Sequence, residues 1–126
     1  MPTRIALFIA LGGAIGSLLR SYVALRIEQR FHSAATGTLV INVLGCFLLG
    51  LLYQGVMSIR TDVAPRAFVI TGILGGFTTF SAFGGQAFAF LQSGHRIQAI
   101  VYALGQMLIA VAAVAIGDWL GRRWTG

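Results

Sequence analysis

The sequence predicts an all-α membrane protein whose single domain spans residues 1–126, built from four transmembrane helices. Three observations carry that expectation. Hydrophobic residues make up 57% of the chain and charged residues only 10%, whereas about a quarter of an ordinary soluble chain is charged. Positions 31–59 and 67–95 are each 29 residues long without a single Asp, Glu, Lys or Arg, and a spanning helix needs about 20. A third charge-free run covers positions 97–117, and a stretch from Ile5 to Leu25 is interrupted only by Arg20.

The spans fall near residues 4–26, 36–58, 66–92 and 96–120. The first has Arg4 before an apolar stretch, which is also how a secretory signal begins. Its length and the three similar segments after it favour a membrane span. Charge is confined to the short connections, and neither a linker nor a strict repeat separates the segments. The second span is the apolar run Leu39-Val40-Ile41-Asn42-Val43-Leu44 with one amide in it. Seventeen glycines lie mostly inside the spans, where small residues let helix backbones approach closely in lipid. Four short spans enclose little interior, so part of what they pack against is expected to be a second copy. Tyr22, Tyr53, Trp119 and Trp124 lie near span ends, at the depth where amphipathic rings settle.

The third span is the unusual one. It reads Thr71-Gly72-Ile73-Leu74-Gly75-Gly76-Phe77-Thr78-Thr79-Phe80-Ser81-Ala82-Phe83-Gly84-Gly85, a poor helix centre because paired glycines and hydroxyl residues weaken helices. A break is expected near Gly75 to Thr79. Non-helical backbone at membrane depth survives only where protein or a water-filled cavity meets its freed groups, so a break there points to a site. Freed carbonyls at a two-fold axis would hold a cation. The plainer alternative is a glycine-lined seam with its hydroxyls bonded back to the preceding turn. Phe77, Phe80 and Phe83 recur every third residue, one helix face beside the Thr79 and Ser81 hydroxyls. A ring presented edge-on stabilises a desolvated anion. Asn42, Gln86 and Gln106 add amide donors, which either join helices or line a polar path. The fourth span has no strong motif of its own.

Net charge is +6, from nine arginines against three acids. The arginines lie in ones and twos without interleaved aromatics, which excludes a nucleic-acid groove. Arg20 is the one charge that interrupts an apolar run, and an intramembrane ionisable residue marks function by default. With one cation, amides, hydroxyls and ring edges, and no carboxylate among them, the polar interior suits an anion. Enzyme chemistry finds no support: there is no lysine for a P-loop, and His32 and His95 fall in separate loops without ligand spacing. Cys46 is alone and reads as a small buried residue.

With four spans, Arg4, Arg60, Arg66, Arg122 and Arg123 share one side with both termini. Arg26, Arg30 and Arg96, with or without Arg20, take the other. That bias is slight under the positive-inside rule. Insertion in both orientations would give an antiparallel two-fold dimer; a single orientation with a small bias fits the same count.

Gly12-Gly13-Ala14-Ile15-Gly16-Ser17-Leu18-Leu19-Arg20, Gly37-Thr38-Leu39-Val40-Ile41-Asn42-Val43-Leu44-Gly45 and Gly75-Gly76-Phe77-Thr78-Thr79-Phe80-Ser81-x-Phe83 together resemble the Fluc (CrcB) fluoride channels. The likeness runs through three spans in order. It implies a dual-topology homodimer of four-helix subunits in the inner membrane of a prokaryote, with two antiparallel pores that export fluoride passively. By the resemblance, the ring pair along the pore is Phe80 and Phe83, the pore amide Asn42 and the vestibule arginine Arg20. Tyr102 corresponds to the fourth-span tyrosine whose hydroxyl faces the pore. A structural sodium ion (Na+) at the dimer interface would be held by the backbone carbonyls of Gly75 and Thr78. The sequence departs from the family pattern where Ser21 intervenes between Arg20 and Tyr22, where Ala82 replaces a threonine, and where Gln106 stands in a region of small hydroxyl residues. Two other readings are a proton-coupled exporter resembling the small multidrug resistance family, which needs a carboxylate the first span lacks, and a structural membrane subunit.

Overall fold

A computed structural model describes residues 1–58 and 62–125. Among them every regular element is helical. Arg60, which enters the arginine count above, lies outside the described residues.

Helix α1 (Thr3–Phe31) starts after Pro2, whose missing N–H costs nothing there, and runs past residue 26 through the charged turn of Arg26, Glu28 and Arg30. Nothing in that turn breaks a helix, so it stops only at His32. There the backbone turns left-handed (φ 53°) and donates to the Glu28 carbonyl at 2.7 Å. Ser33 then caps α2 (Ala34–Met57), its Oγ accepting from the Thr36 amide at 3.2 Å. Such a cap satisfies one of the donors that a helix start leaves open.

Asp62 caps the next helix. Its carboxylate accepts from the Ala64 amide at 2.9 Å and from Arg4 at 2.7 Å, which ties the start of α1 to the α2–α3 connection. Helix α3 (Val63–Arg66) continues as a π-helical stretch over Ala67–Leu74 and a single α-turn, α4 (Gly75–Phe77). Thr78 and Thr79 follow in extended conformation, and α5 (Phe80–Gln92) begins directly after them. Gly94, at φ 79°, turns the chain into α6 (Arg96–Thr125).

Thr3–Phe31, Ala34–Met57, Val63–Gln92 and Arg96–Trp124 are each long and apolar enough to cross a membrane, and the protein is a multi-pass membrane protein. Leu18, Leu108 and Val111, each 70–72% exposed in the single chain, turn outward, as lipid solvent allows. Two glycine seams hold the helices together. In the first, Gly12 and Gly16 of α1 lie against the π-helical stretch, so close that a side chain at Gly16 would strike the Ile73 carbonyl. In the second, Gly50 of α2 faces Val114 and Asp118, while Gly117 and Gly121 of α6 face Phe47 and Leu51. Polar bonds clip the end of that seam: Gln54 donates to Asp118 at 3.0 Å and Arg122 donates to it at 2.8 Å. The π-helical turns have no counterpart in the sequence pattern.

The Ala64 amide, and after it the Arg4 guanidinium, hold the Asp62 carboxyl below the usual carboxylate range. Its stabilising contribution is therefore present above about pH 3.9, the ordinary aspartate value, and is lost as pH falls through the lowered one. Asp62→Ala is expected to lower the thermal unfolding temperature in detergent slightly at pH 7, and the gap to the parent protein is expected to narrow in acid.

Candidate functional site

The polar centre of the molecule is the extended pair between α4 and α5. Thr78 has φ −81° and ψ 156°, and Thr79 has φ −147° and ψ 117°. Half-buried backbone so far from helical needs other partners for its amides and carbonyls. Asn42, near the middle of α2, supplies two. Its Oδ1 accepts from the Thr79 N–H at 2.8 Å, and its Nδ2 donates to the Thr79 carbonyl at 3.0 Å. That pairing copies one rung of a β-ladder with a side-chain amide. Because the Thr79 N–H turns to Asn42, the Gly75 carbonyl loses the donor that a continuous helix would give it four residues on.

Arg20 meets the other threonine. Its Nη1 donates to the Thr78 carbonyl at 3.3 Å, which brings a cation from the apolar stretch of α1 to the same two residues. The Thr78 hydroxyl bonds back to the Leu74 carbonyl at 3.1 Å, and its methyl points to Gly45, where any side chain would collide with it. Gly45 thus makes room, one turn beyond Asn42 on the same helix. Thr79 also starts α5, since its Oγ1 accepts from the Ala82 amide at 3.3 Å and lies 3.3 Å from the Ser81 hydroxyl.

Phe80 and Phe83 stand one turn apart at the head of α5, with centroids 5.4 Å apart and planes at 50°. The Phe80 ring is 81% exposed and Phe83 is buried. Phe83 continues to Tyr102 of α6 at 5.6 Å. The Tyr102 hydroxyl donates to Gln86 Oε1 at 2.7 Å. Phe77 does not join this row. A three-residue spacing marks one face only while the helix is unbroken, and two extended residues separate Phe77 from Phe80; it is buried beside Gly45 instead.

Two hollows meet at Thr79. One, of about 320 Å³, is lined by Arg20, Thr38, Thr79 and Gln86 among others. The other, of about 360 Å³, is a largely apolar groove that includes Asn42, Thr79, Phe80, Phe83 and Gln106. The structure therefore gathers Arg20, Asn42, Thr78, Thr79, Ser81, Phe80, Phe83 and Tyr102 from four helices into one region, with Gly75 one turn before the extended pair. Sequence reasoning missed two things. Both Asn42 amide protons are committed, one to Thr79 and one to Gln106, and Gly45 is what admits Thr78. The spacing of Asn42 and Gly45 on α2 was a signal for the second.

Residues 7–118 match the model of a family described as CrcB-like protein, Camphor Resistance (CrcB). The chain is 47% identical over 122 residues to the fluoride-specific ion channel FluC of Chloroflexus aurantiacus, a match covering 95% of this chain and 96% of the relative. It is 39% identical over 127 residues to the protein of that name from Helicobacter pylori (strain Shi470), covering 97% and 96%. With the one from Desulfotalea psychrophila it shares 35% over 116 residues, covering 92% and 91%.

Proposed function

The chain belongs to the CrcB-like family, and from that premise we propose that it is a fluoride-selective ion channel, not an enzyme, that exports the anion passively through a dual-topology homodimer. The observation that carries the reading is near full-length similarity to proteins named fluoride-specific ion channels. Hydroxyls, amides and ring edges gathered at the extended threonines support it, in a groove lined by no acid and beside a hollow that Arg20 and Glu28 both line. The exporter and structural-subunit readings have no comparable support.

The chemistry follows from the donor set. Stripping a small anion of water costs tens of kcal/mol by a Born estimate of roughly that order, so its hydration must be replaced in steps. In the hollow that Arg20 and Glu28 line, the guanidinium is the group that attracts the anion. Beyond it, the Thr79 and Ser81 hydroxyls and the positive edges of the Phe80 and Phe83 rings succeed one another as partners, while Tyr102, its proton given to Gln86, packs on Phe83. Asn42 contributes by holding Thr79 open to the lane. A potential of 100 mV adds about 2.3 kcal/mol per charge toward exit from a negative interior, so no metabolic coupling is needed.

A second copy completes the pathway in this reading. The exposed Phe80 ring borders an open apolar groove, and Gly13, Gly84, Gly85 and Gly105 face open space in the single chain. Those are surfaces suited to close helix approach in lipid. The slight arginine bias suits an antiparallel arrangement in a bacterial inner membrane. The break in the third span would then lie mid-membrane at the two-fold axis. Its carbonyls fit a hard cation such as sodium, because Gly75 has lost its helical donor and Thr78 already attracts one cation, Arg20. Gly75 and Thr78 of both copies would hold the ion, which when bound supplies charge that fixes the two breaks together.

Fluoride release from liposomes loaded with potassium fluoride, followed with a fluoride electrode, tests the function. Rapid release is expected with chloride retained and no dependence on a proton gradient; equal release of both halides would reject selectivity. Phe80→Ile is expected to slow release by about tenfold, the scale of one lost aromatic interaction. The fold should persist, since that ring makes few contacts within the chain.

A further inference from the structure

The hollow beside Thr79 has a direction. Helix α1 lines it with Arg20, Ala24 and Glu28, and α2 with Ala34, Thr38 and Ile41. Positions four apart share one helix face, and the eight residues from Arg20 to Glu28 rise about 12 Å along the axis. Helix α1 ends at Phe31 and α2 begins at Ala34. Glu28 and Ala34 therefore lie at the turn between the two helices, at the end of the spans, while Arg20 and Ile41 lie two turns deeper, beside Thr79. An anion that enters from this end meets the carboxylate before the guanidinium.

Nothing in the structure cancels that carboxylate. Ion pairs among the described residues join Arg4 to Asp62 and Arg122 to Asp118. Glu28 is exposed and makes neither an ion pair nor a side-chain hydrogen bond with any of them. Its two basic neighbours are turned to rings instead: Arg26 lies 5.1 Å from the Tyr22 centroid and Arg30 lies 5.6 Å from that of Phe31. Neither lines the hollow, and Glu28 is the one acid that does. A carboxylate without partners adds little to the fold. Its field still acts on ions, and a cleft with low-dielectric walls focuses that field.

We propose that Glu28 sets the rate of anion entry: its carboxylate opposes the Arg20 guanidinium and lowers the concentration of halide that reaches the threonine pair. The inference rests on the channel reading above and deepens it, because it assigns what restrains the anion before dehydration begins. Two consequences follow from acting that early. The fluoride concentration needed for half-maximal flux depends on Glu28, whereas the maximal flux does not. The preference for fluoride over chloride is also untouched, since both carry the same charge past the same carboxylate.

Fluoride release from liposomes at low ionic strength and subsaturating fluoride tests the assignment. Glu28→Gln is expected to release fluoride about threefold faster than the parent, the scale of one unit charge acting through water over several ångströms. Near 1 M inert salt, where the screening length is about 3 Å, the two rates are expected to converge. Glu28→Ala removes the same charge with a different shape and is expected to match Glu28→Gln. Equal rates for the parent and Glu28→Gln at low ionic strength would overturn the proposal. A gain that persists undiminished in high salt, or that only one of the two variants shows, would overturn it too, because the cause would then be shape and not charge. If the parent protein itself releases no fluoride, it is the channel reading that fails.

Discussion

Replacing Asn42 with aspartate is expected to reduce fluoride release by about 100-fold and to destabilise the protein by about 3 kcal/mol, the scale of a buried polar network broken at one partner. The substitution is nearly isosteric, so the loss is chemical. Aspartate keeps the acceptor for the Thr79 N–H, but the position that donates to the Thr79 carbonyl and to Gln106 Oε1, both at 3.0 Å, becomes an oxygen. If the carboxyl ionises, it faces two acceptors and repels the anion. If it stays protonated, its one hydrogen serves only one of them. Either way at least one of the two bonds is lost, so that Thr79 is held extended less firmly or the Gln106 amide is no longer held in one orientation. Fluoride release from liposomes and thermal unfolding in detergent measure the two effects. Parent-like release in Asn42→Asp would remove this amide from any role in conduction.

The spans were legible because their signal is local: runs without charge longer than a bilayer needs can be counted along the chain. Caps at Ser33 and Asp62 are local too, side chains answering amides two or three residues on. The extended pair was legible only in part. Glycines and threonines flagged 75–79, yet the backbone stays helical through Gly75–Phe77 and opens at Thr78 and Thr79. What decides that position is far away in sequence. Asn42 offers a donor and an acceptor at the right height, Gly45 clears space for the Thr78 methyl, and Arg20 reaches the Thr78 carbonyl. Propensity cannot report such partners, because they act across helices. For the same reason the row of phenylalanines was misread at Phe77: its spacing assumed a continuity that those distant partners interrupt. The commitment of both Asn42 protons follows from the same cause, since residue type fixes how many donors an amide has and only packing fixes where they go.

Gly16→Ala is expected to cost the fold more than any other single added methyl in the first span. A Cβ there would strike the Ile73 carbonyl oxygen and stand 2.9 Å from the Phe77 amide nitrogen. Both obstacles are backbone, so relief requires α1 and the π-helical stretch to separate instead of a side chain swinging away. Overpacking of this kind costs about 1–3 kcal/mol or somewhat more, and the displaced segment ends at the threonine pair that Arg20 and Asn42 must reach. Loss of thermal stability and of fluoride release are therefore expected together. Gly13 provides the internal comparison, because a Cβ at that position, less than a turn away, meets nothing within 4 Å in the chain. Gly13→Ala is expected to keep the folded subunit, and because alanine is the better helix former by up to about 1 kcal/mol, it should unfold no earlier than the parent. Its face is open to lipid or to a second copy, so any defect should appear in the oligomeric state by size exclusion and not in the subunit. If the two variants unfold at the same temperature, close backbone approach at Gly16 is not what holds α1 to the third span.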